Sequence, residues 1–195
     1  MAEQFASLSA THVAFIQAQQ LFFVGTAGTD GYVNVAPKGM DTLRVVDSGR
    51  IAWLNLTGSG NETAAHLLDV NRMTLMFCSF ERQPLIMRVY GRARTVHPRD
   101  DDWPQLLALF PPIPGARQVF VLDVELVLTS CGYGVPYYEF RGERQTMVKW
   151  TEKRGVDGIQ SYWRERNARS INGRDTGIVR PSGQPPQIDG LEGRD

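Results

Sequence analysis

The sequence predicts a mainly β fold, an antiparallel closed or nearly closed barrel of about six strands with a few peripheral helices. Three observations predict it. Six β-favouring runs follow one another at short spacing, Gly- and Asp-containing turns join several of them as hairpins, and no regular helices separate them, which disfavours a doubly wound parallel sheet. The 195 residues, 42% hydrophobic and 22% charged, suffice to bury the core of one domain without disulfide or metal staples.

Residues Ser9 to Gln20 read as a short helix that packs on the sheet: Val13, Phe15, Ile16 and Ala18 lie among polar residues, and Ser9 or Thr11 can cap its start. Leu21 to Ala27 and Tyr32 to Ala36 form a hairpin through Gly28-Thr29-Asp30-Gly31, where Asp and Gly tolerate left-handed backbone angles. Pro37-Lys38-Gly39 interrupts the second strand before Thr42 to Val46 resumes it. Proline enters strands only at edges or bulges, so the strand should bend here.

Asp47 to Arg50 turns the chain into the strand Ile51 to Leu56, and the nearly continuous apolar run Met73 to Phe80 suits a central strand buried on both faces. In the strand Leu85 to Val96, Ile86, Arg88, Tyr90, Arg92 and Arg94 share one parity and Met87, Val89, Gly91 and Ala93 the other. One face is basic and one apolar. Pro98 to Phe110 reads as a helix with Asp100, Asp101 and Asp102 at its positive end, closed by Pro111 to Gly115. Gln118 to Thr129 is the last long strand, followed by an irregular aromatic segment through Tyr138. Arg144 to Trp150 and Gly158 to Ala168 look like two short helical pieces, and the Gly-, Pro- and Gln-rich sequence beyond Asp175 predicts a disordered tail. The domain organisation is thus a barrel over residues 8–140, a helical extension over 141–175 and a tail over 176–195.

Lys+Arg and Asp+Glu both number 21, so no net positive field draws the protein to nucleic acid or to an anionic membrane, and any anion site must be local. Cys78 and Cys131 have no Cys-x-x-Cys spacing and no nearby His, which argues against a metal site. The N-terminus lacks a basic-then-apolar leader and no apolar run is long enough to span a bilayer, so a cytoplasmic protein with reduced thiols is expected.

One stretch invites chemistry. Thr57-Gly58-Ser59-Gly60-Asn61-Glu62-Thr63 follows a strand and opens a helix that continues to Val70. Its glycines let the backbone approach a ligand, and free N–H groups at the positive end of a helix favour an anion. The turn alone reads equally well as a polar cap. Of the three histidines, His66 is expected to make a structural hydrogen bond, His97 to end a strand and His12 to lie at the surface. Cys78 should be inert core and Cys131 exposed.

Three segments together, Asn34 to Gly39, Trp53 to Leu67 and Pro84 to Gly91, resemble the pyridoxamine 5′-phosphate oxidase-related flavoproteins, in the same order of elements. The resemblance covers about residues 10–130 and implies a six-stranded antiparallel split β-barrel that forms a homodimer and binds FMN at the dimer interface. It implies flavin contacts at Ala36, Pro37, Lys38 and Gly39, with Lys38 stabilising negative charge on the reduced ring, and a phosphate turn at Asn55, Thr57, Gly58, Ser59, Asn61, Glu62 and Thr63. The oxidase itself carries adjacent Arg and Lys at that turn, whereas this chain has Gly60-Asn61-Glu62. Phosphate would then depend on backbone N–H groups, hydroxyls and Arg88 or Arg92, and Glu62 would repel it unless turned away.

No equivalent of the oxidase's pyridoxal-phosphate region is found around Ser170 to Gly173, so pyridoxamine phosphate is not the expected substrate. Lys149, Trp150, Tyr162, Trp163, Asn167 and Ser170 are similar to the C-terminal extension of relatives, which would fold over the flavin of the partner subunit, with Trp150 either a ring-stacking lid or an anchor on the barrel. The implied activity is an FMN-dependent oxidoreductase acting on a small organic molecule. The alternative is a non-catalytic protein that binds haem or deazaflavin on the same fold.

Overall fold

In the computed structural model, which describes residues 2–179, the β-rich stretches pair into a single antiparallel sheet. Its strands are β1 (Glu3–Phe5), β2 (Phe22–Thr26), β3 (Asn34–Lys38), β4 (Leu43–Asp47), β5 (Arg50–Leu56), β6 (Met73–Cys78), β7 (Leu85–Val96) and β8 (Ala116–Cys131). The order is β3-β2-β6-β7-β8-β5-β4, with β1 added on β8, and the two ends do not pair. This is an open, split barrel of eight strands rather than six.

Two features account for the difference. Glu3–Phe5 pairs with Val127 to Thr129 of β8, a contact carried by no periodicity in so short a run. The expected bent strand is in fact two strands at opposite ends of the sheet. Pro37 lies in β3, which among the described residues pairs only with β2 and so has a side that needs no N–H donor. Beyond Lys38 the chain leaves the sheet: Met40 adopts φ 60°, the Thr42 hydroxyl donates to Gly39 O at 2.8 Å, and β4 then pairs with β5. Residues 39–42 therefore cross the split.

The long β7–β8 pair forms the spine, and its register shifts between Tyr90 and Gly91. A Cβ on Gly91 would lie 1.9 Å from Asp123 O, so only glycine admits this approach of the two backbones. On β7, Met87, Val89, Gly91 and Ala93 are buried while Arg92 and Arg94 are exposed, the two faces that the parity predicts. The barrel interior holds Phe22, Val24, Leu75, Phe77, Val89 and Leu122 around Trp53, which stacks on Phe120 with centroids 4.8 Å apart. A second cluster, Leu54, Val96, Trp103, Phe110, Val119 and Val121, covers the outer face of β5 and β8.

Helix α1 (Ala10–Ala18) is capped by Ser9, whose hydroxyl accepts from His12 N while Ser9 N donates to His12 Nδ1, both at 3.2 Å. The reciprocal cap buries His12, which was expected at the surface. Helix α2 (Glu62–Asp69) follows the Gly-rich turn. Helix α3 (Trp103–Leu107) is much shorter than Pro98 to Phe110, because the Asp100 carboxylate accepts from His97 N at 2.8 Å and holds the residues before it in a turn.

Helix α4 (Thr146–Tyr162) is broken at Gly155 (φ 63°, ψ 177°) and runs on into a π-helical turn, Trp163–Asn167. Ile159, Trp163 and Ile178 form their own small core. Thr176 and Ile178 are buried, and Arg99 donates to Ile178 O at 3.1 Å, so the tail expected from residue 176 is held in place through 179. The rest of that expected tail, 180–195, lies outside the described residues. Among the described residues no helix is long and apolar enough to cross a membrane.

Candidate functional site

Where β5 ends, Thr57 is tied down from two sides. Its N–H and hydroxyl both donate to Gly115 O, at 2.8 and 2.9 Å, and its hydroxyl accepts from Trp163 Nε1 at 2.9 Å. With its oxygen engaged and the residue 1% exposed, Thr57 anchors the turn and offers no group to a ligand. Next to it the turn opens on a cleft of about 960 Å³. One wall is the strand Ala36, Pro37 and Lys38 with Gly39. The floor is Trp53 and Asn55. The far side is Gly58, Ser59, Asn61, Glu62 and Thr63, and α4 closes the cleft with Trp150 and Tyr162.

The structure thus brings the expected flavin-contacting strand, the turn residues and Trp150 together around one cleft, but neither Arg88 nor Arg92. The Arg88 side chain lies on β7 outside the cleft and donates to Ser130 Oγ at 3.4 Å. Arg92 is exposed and pairs with Glu125 at 3.0 Å. Neither reaches the turn. Asn55 is buried and donates to Gln118 Oε1 at 3.2 Å. Thr63 is also buried. Its hydroxyl accepts from Asn34 Nδ2 at 3.2 Å, and the same amide donates to Thr26 Oγ1 at 3.3 Å. Thr26 in turn is hydrogen-bonded to His66 Nδ1 at 3.1 Å, so His66 is a structural hydrogen-bonding histidine that couples α2 to β2 and β3.

The carboxylates of the cleft are turned onto backbone donors. Glu62 accepts from Ile171 N at 3.0 and 3.2 Å, which directs its charge to the C-terminal segment and removes the expected conflict with an anion at the turn. Glu143 accepts from Met40 N at 3.2 Å. The cations are not neutralised in the same way. Lys38 has no ion pair among the described residues; its Nζ sits 5.4 Å from the Trp53 ring centroid, a cation–π contact. Burial, and secondarily the positive charge of Arg117, lower its pKa to about 8.

Arg117, which the sequence reading missed, is 2% exposed and has no carboxylate partner among the described residues. It donates to Asn167 Oδ1 at 2.8 Å, Gly60 O at 3.0 Å and Gly58 O at 3.5 Å, while its Nε has no acceptor. Burial lowers its pKa to about 9, so it remains a cation at neutral pH. The signal available in the sequence was an arginine, followed by Gln118, at the start of the apolar run Val119 to Leu122.

Trp150 is half-buried, packs edge-on against Tyr162 with centroids 5.1 Å apart and carries Arg154 over its ring at 4.6 Å. It lines the cleft of its own chain, which places the extension beside the site in cis. No cluster of three or more His, Cys, Asp or Glu among the described residues could hold a metal. Cys78 is buried, with its thiol pKa raised by that burial, and Cys131 is exposed.

Comparison with known proteins agrees with this geometry. Residues 8–131 match the family model described as pyridoxamine 5′-phosphate oxidase. The pyridoxamine 5′-phosphate oxidase family protein ustO of Aspergillus flavus is 32% identical over 176 residues, covering 80% of this chain and 70% of that protein. Among solved structures, a Lactobacillus delbrueckii protein provisionally assigned as a pyridoxamine 5′-phosphate oxidase superposes with a TM-score of 0.51 at 23% identity, covering 63% of this chain and 94% of its own, which supports the split-barrel fold. With the family model spanning most of the chain and ustO aligned along four-fifths of it, the chain belongs to the pyridoxamine 5′-phosphate oxidase family.

Proposed function

We propose that this chain is an FMN-binding flavoprotein of the oxidoreductase class, moving hydride or electrons between a reduced donor and a small organic substrate. The observation that carries the proposal is the single cleft joining Ala36–Gly39, the Thr57–Thr63 turn and Trp150 around Lys38 and Arg117, two cations that no carboxylate neutralises among the described residues. Such a site fits a ligand with a planar ring and an anionic end. The Ser59 and Thr63 hydroxyls and N–H groups of the turn would hold the phosphate, and Ala36, Pro37, Gly39 and Trp150 would hold the ring.

When bound, FMN supplies the redox chemistry, and the protein supplies orientation and electrostatics. Lys38 holds a proton at Nζ that it can give up near pH 8, a value suited to balancing charge on the ligand without fixing it permanently. Trp150 and Tyr162 line the cleft on the α4 side and supply apolar surface there. Family membership supports the flavin reading, and a homodimer with FMN at its interface and a cytoplasmic location belong to the same proposal. Haem is the weaker alternative, because His12, His66 and His97 all lie outside the lining of the cleft.

The test is the absorption spectrum of the purified protein, followed by FMN titration. Paired flavin bands, or quenching of FMN fluorescence on addition of the protein, support the proposal. A colourless protein that neither quenches nor is thermally stabilised by FMN overturns it, an intense Soret band substitutes haem, and absorption at shorter wavelength than FMN substitutes deazaflavin. Bands that no donor can bleach leave binding without turnover.

A further inference from the structure

The Thr57–Thr63 turn lacks the paired basic side chains of the oxidase, yet its carbonyls are arranged by a cation from elsewhere. Arg117 takes Gly58 O and Gly60 O, while Asn167, itself bonded to Arg117, donates to Gly58 O at 3.0 Å and Ser59 O at 3.4 Å. Three successive carbonyls therefore face the Arg117–Asn167 pair. In a planar trans peptide the N–H points opposite to the carbonyl, so the N–H groups of Ser59, Gly60 and Asn61 lie on the other side of the turn, and none has an acceptor among the described residues.

The geometry points to Arg117 as the positioning residue and buried counter-charge for the phosphate of the ligand. Its guanidinium fixes the turn so that consecutive N–H groups face the anion, and its positive charge replaces, from beneath the turn, the charge that Gly60-Asn61-Glu62 does not supply. Three observations meet in this assignment: a fork-shaped donor suited to two carbonyls at once, a buried cation with no carboxylate partner among the described residues, and a second cation, Lys38, in the same cleft and likewise without an ion pair among them. A buried unpaired cation is costly to the protein and its cost falls when an anion arrives. The phosphomonoester dianion is the ligand class that uses both the charge and the N–H array. Asn167 links this device to the C-terminal segment, so the π-helical turn contributes to the anion site without lining the cleft.

This inference rests on the FMN reading above, and its test separates the two. Affinities for FMN and for riboflavin, which lacks the phosphate, are measured by titration with the full chain and with Arg117→Lys and Arg117→Met, and thermal stabilisation by inorganic phosphate is measured alongside. Arg117→Met is expected to weaken FMN by at least about tenfold and leave riboflavin within about twofold, with Arg117→Lys intermediate because it keeps the charge and loses the fork. Equal losses for FMN and riboflavin, or no loss of FMN, overturn the assignment. Should Arg117→Met fail to fold, Arg117→Lys decides alone: an unchanged FMN-to-riboflavin ratio in a natively folded variant overturns it. If the wild type binds neither flavin but phosphate stabilises it in an Arg117-dependent manner, the FMN reading fails and the anion role of Arg117 stands.

Discussion

The indole of Trp163 offers a quantitative test of how the C-terminal segment supports the turn. Trp163 is 1% exposed, packs with Ile159 and Ile178, and donates from Nε1 to Thr57 Oγ1 at 2.9 Å. Trp163→Phe deletes that hydrogen bond, a net loss of about 1 kcal/mol, and leaves part of the indole volume empty, a further 1–2 kcal/mol or so by comparison with larger aromatic truncations. The expected destabilisation is about 2–3 kcal/mol, which at a urea slope of about 2 kcal/mol/M lowers the unfolding midpoint by roughly 1–1.5 M. Thr57→Val removes the acceptor from the other side and strands the indole N–H in the core, at about 1–2 kcal/mol. The double variant should be more stable than the sum of the two predicts by about 1 kcal/mol, since the shared bond is lost only once. Urea unfolding of the four proteins without added flavin measures this directly. A coupling within about 0.3 kcal/mol of zero would refute the reasoning and would mean that the Trp163–Thr57 hydrogen bond contributes nothing to how the segment holds the turn.

The remaining predictions address charge and the cleft. Lys38 has a pKa lowered to about 8, and an anion favours its protonated form, so FMN affinity should fall as pH rises through about 8 and this step should vanish in Lys38→Met, as read by titrations between pH 6 and 9. Thr63→Ala should weaken FMN by several-fold through a lost hydroxyl, whereas Glu62→Gln should leave it unchanged or slightly tighter because that carboxylate already faces Ile171 N; a marked loss on Glu62→Gln would reverse its assigned role. His97, flanked by Arg99, Asp100 and Arg117, is held neutral with a pKa lowered to about 4, first by burial and then by Arg99. An unfolded chain binds the proton at about 6.5, so this group takes away stability as pH falls from about 6.5 to 4, approaching 3 kcal/mol, and His97→Gln should flatten the thermal-stability profile across that window.

What was legible in the sequence was what neighbours along the chain determine. Period-two alternation set the two faces of β7, Asp30-Gly31 marked the loop between β2 and β3, and a glycine-rich turn before an amphipathic run located the start of α2. The run Pro37-Lys38-Gly39 marked the region where the strand ends, although Pro37 itself lies inside β3. The pairing of Leu43 to Asp47 with β5 at the far end of the sheet is a choice of partner that is not written in local periodicity. The same distinction governs the site. Read locally, the turn looked electrostatically poor, since Glu62 stood where the oxidase has a basic residue. In the fold, a backbone donor 109 positions away turns Glu62 aside, and an arginine 59 positions from Gly58 enters beneath the carbonyls. The charge around a turn is therefore a property of what is folded against it, and a cation supplied from a neighbouring strand, as Arg117 is here, leaves no motif at the turn itself.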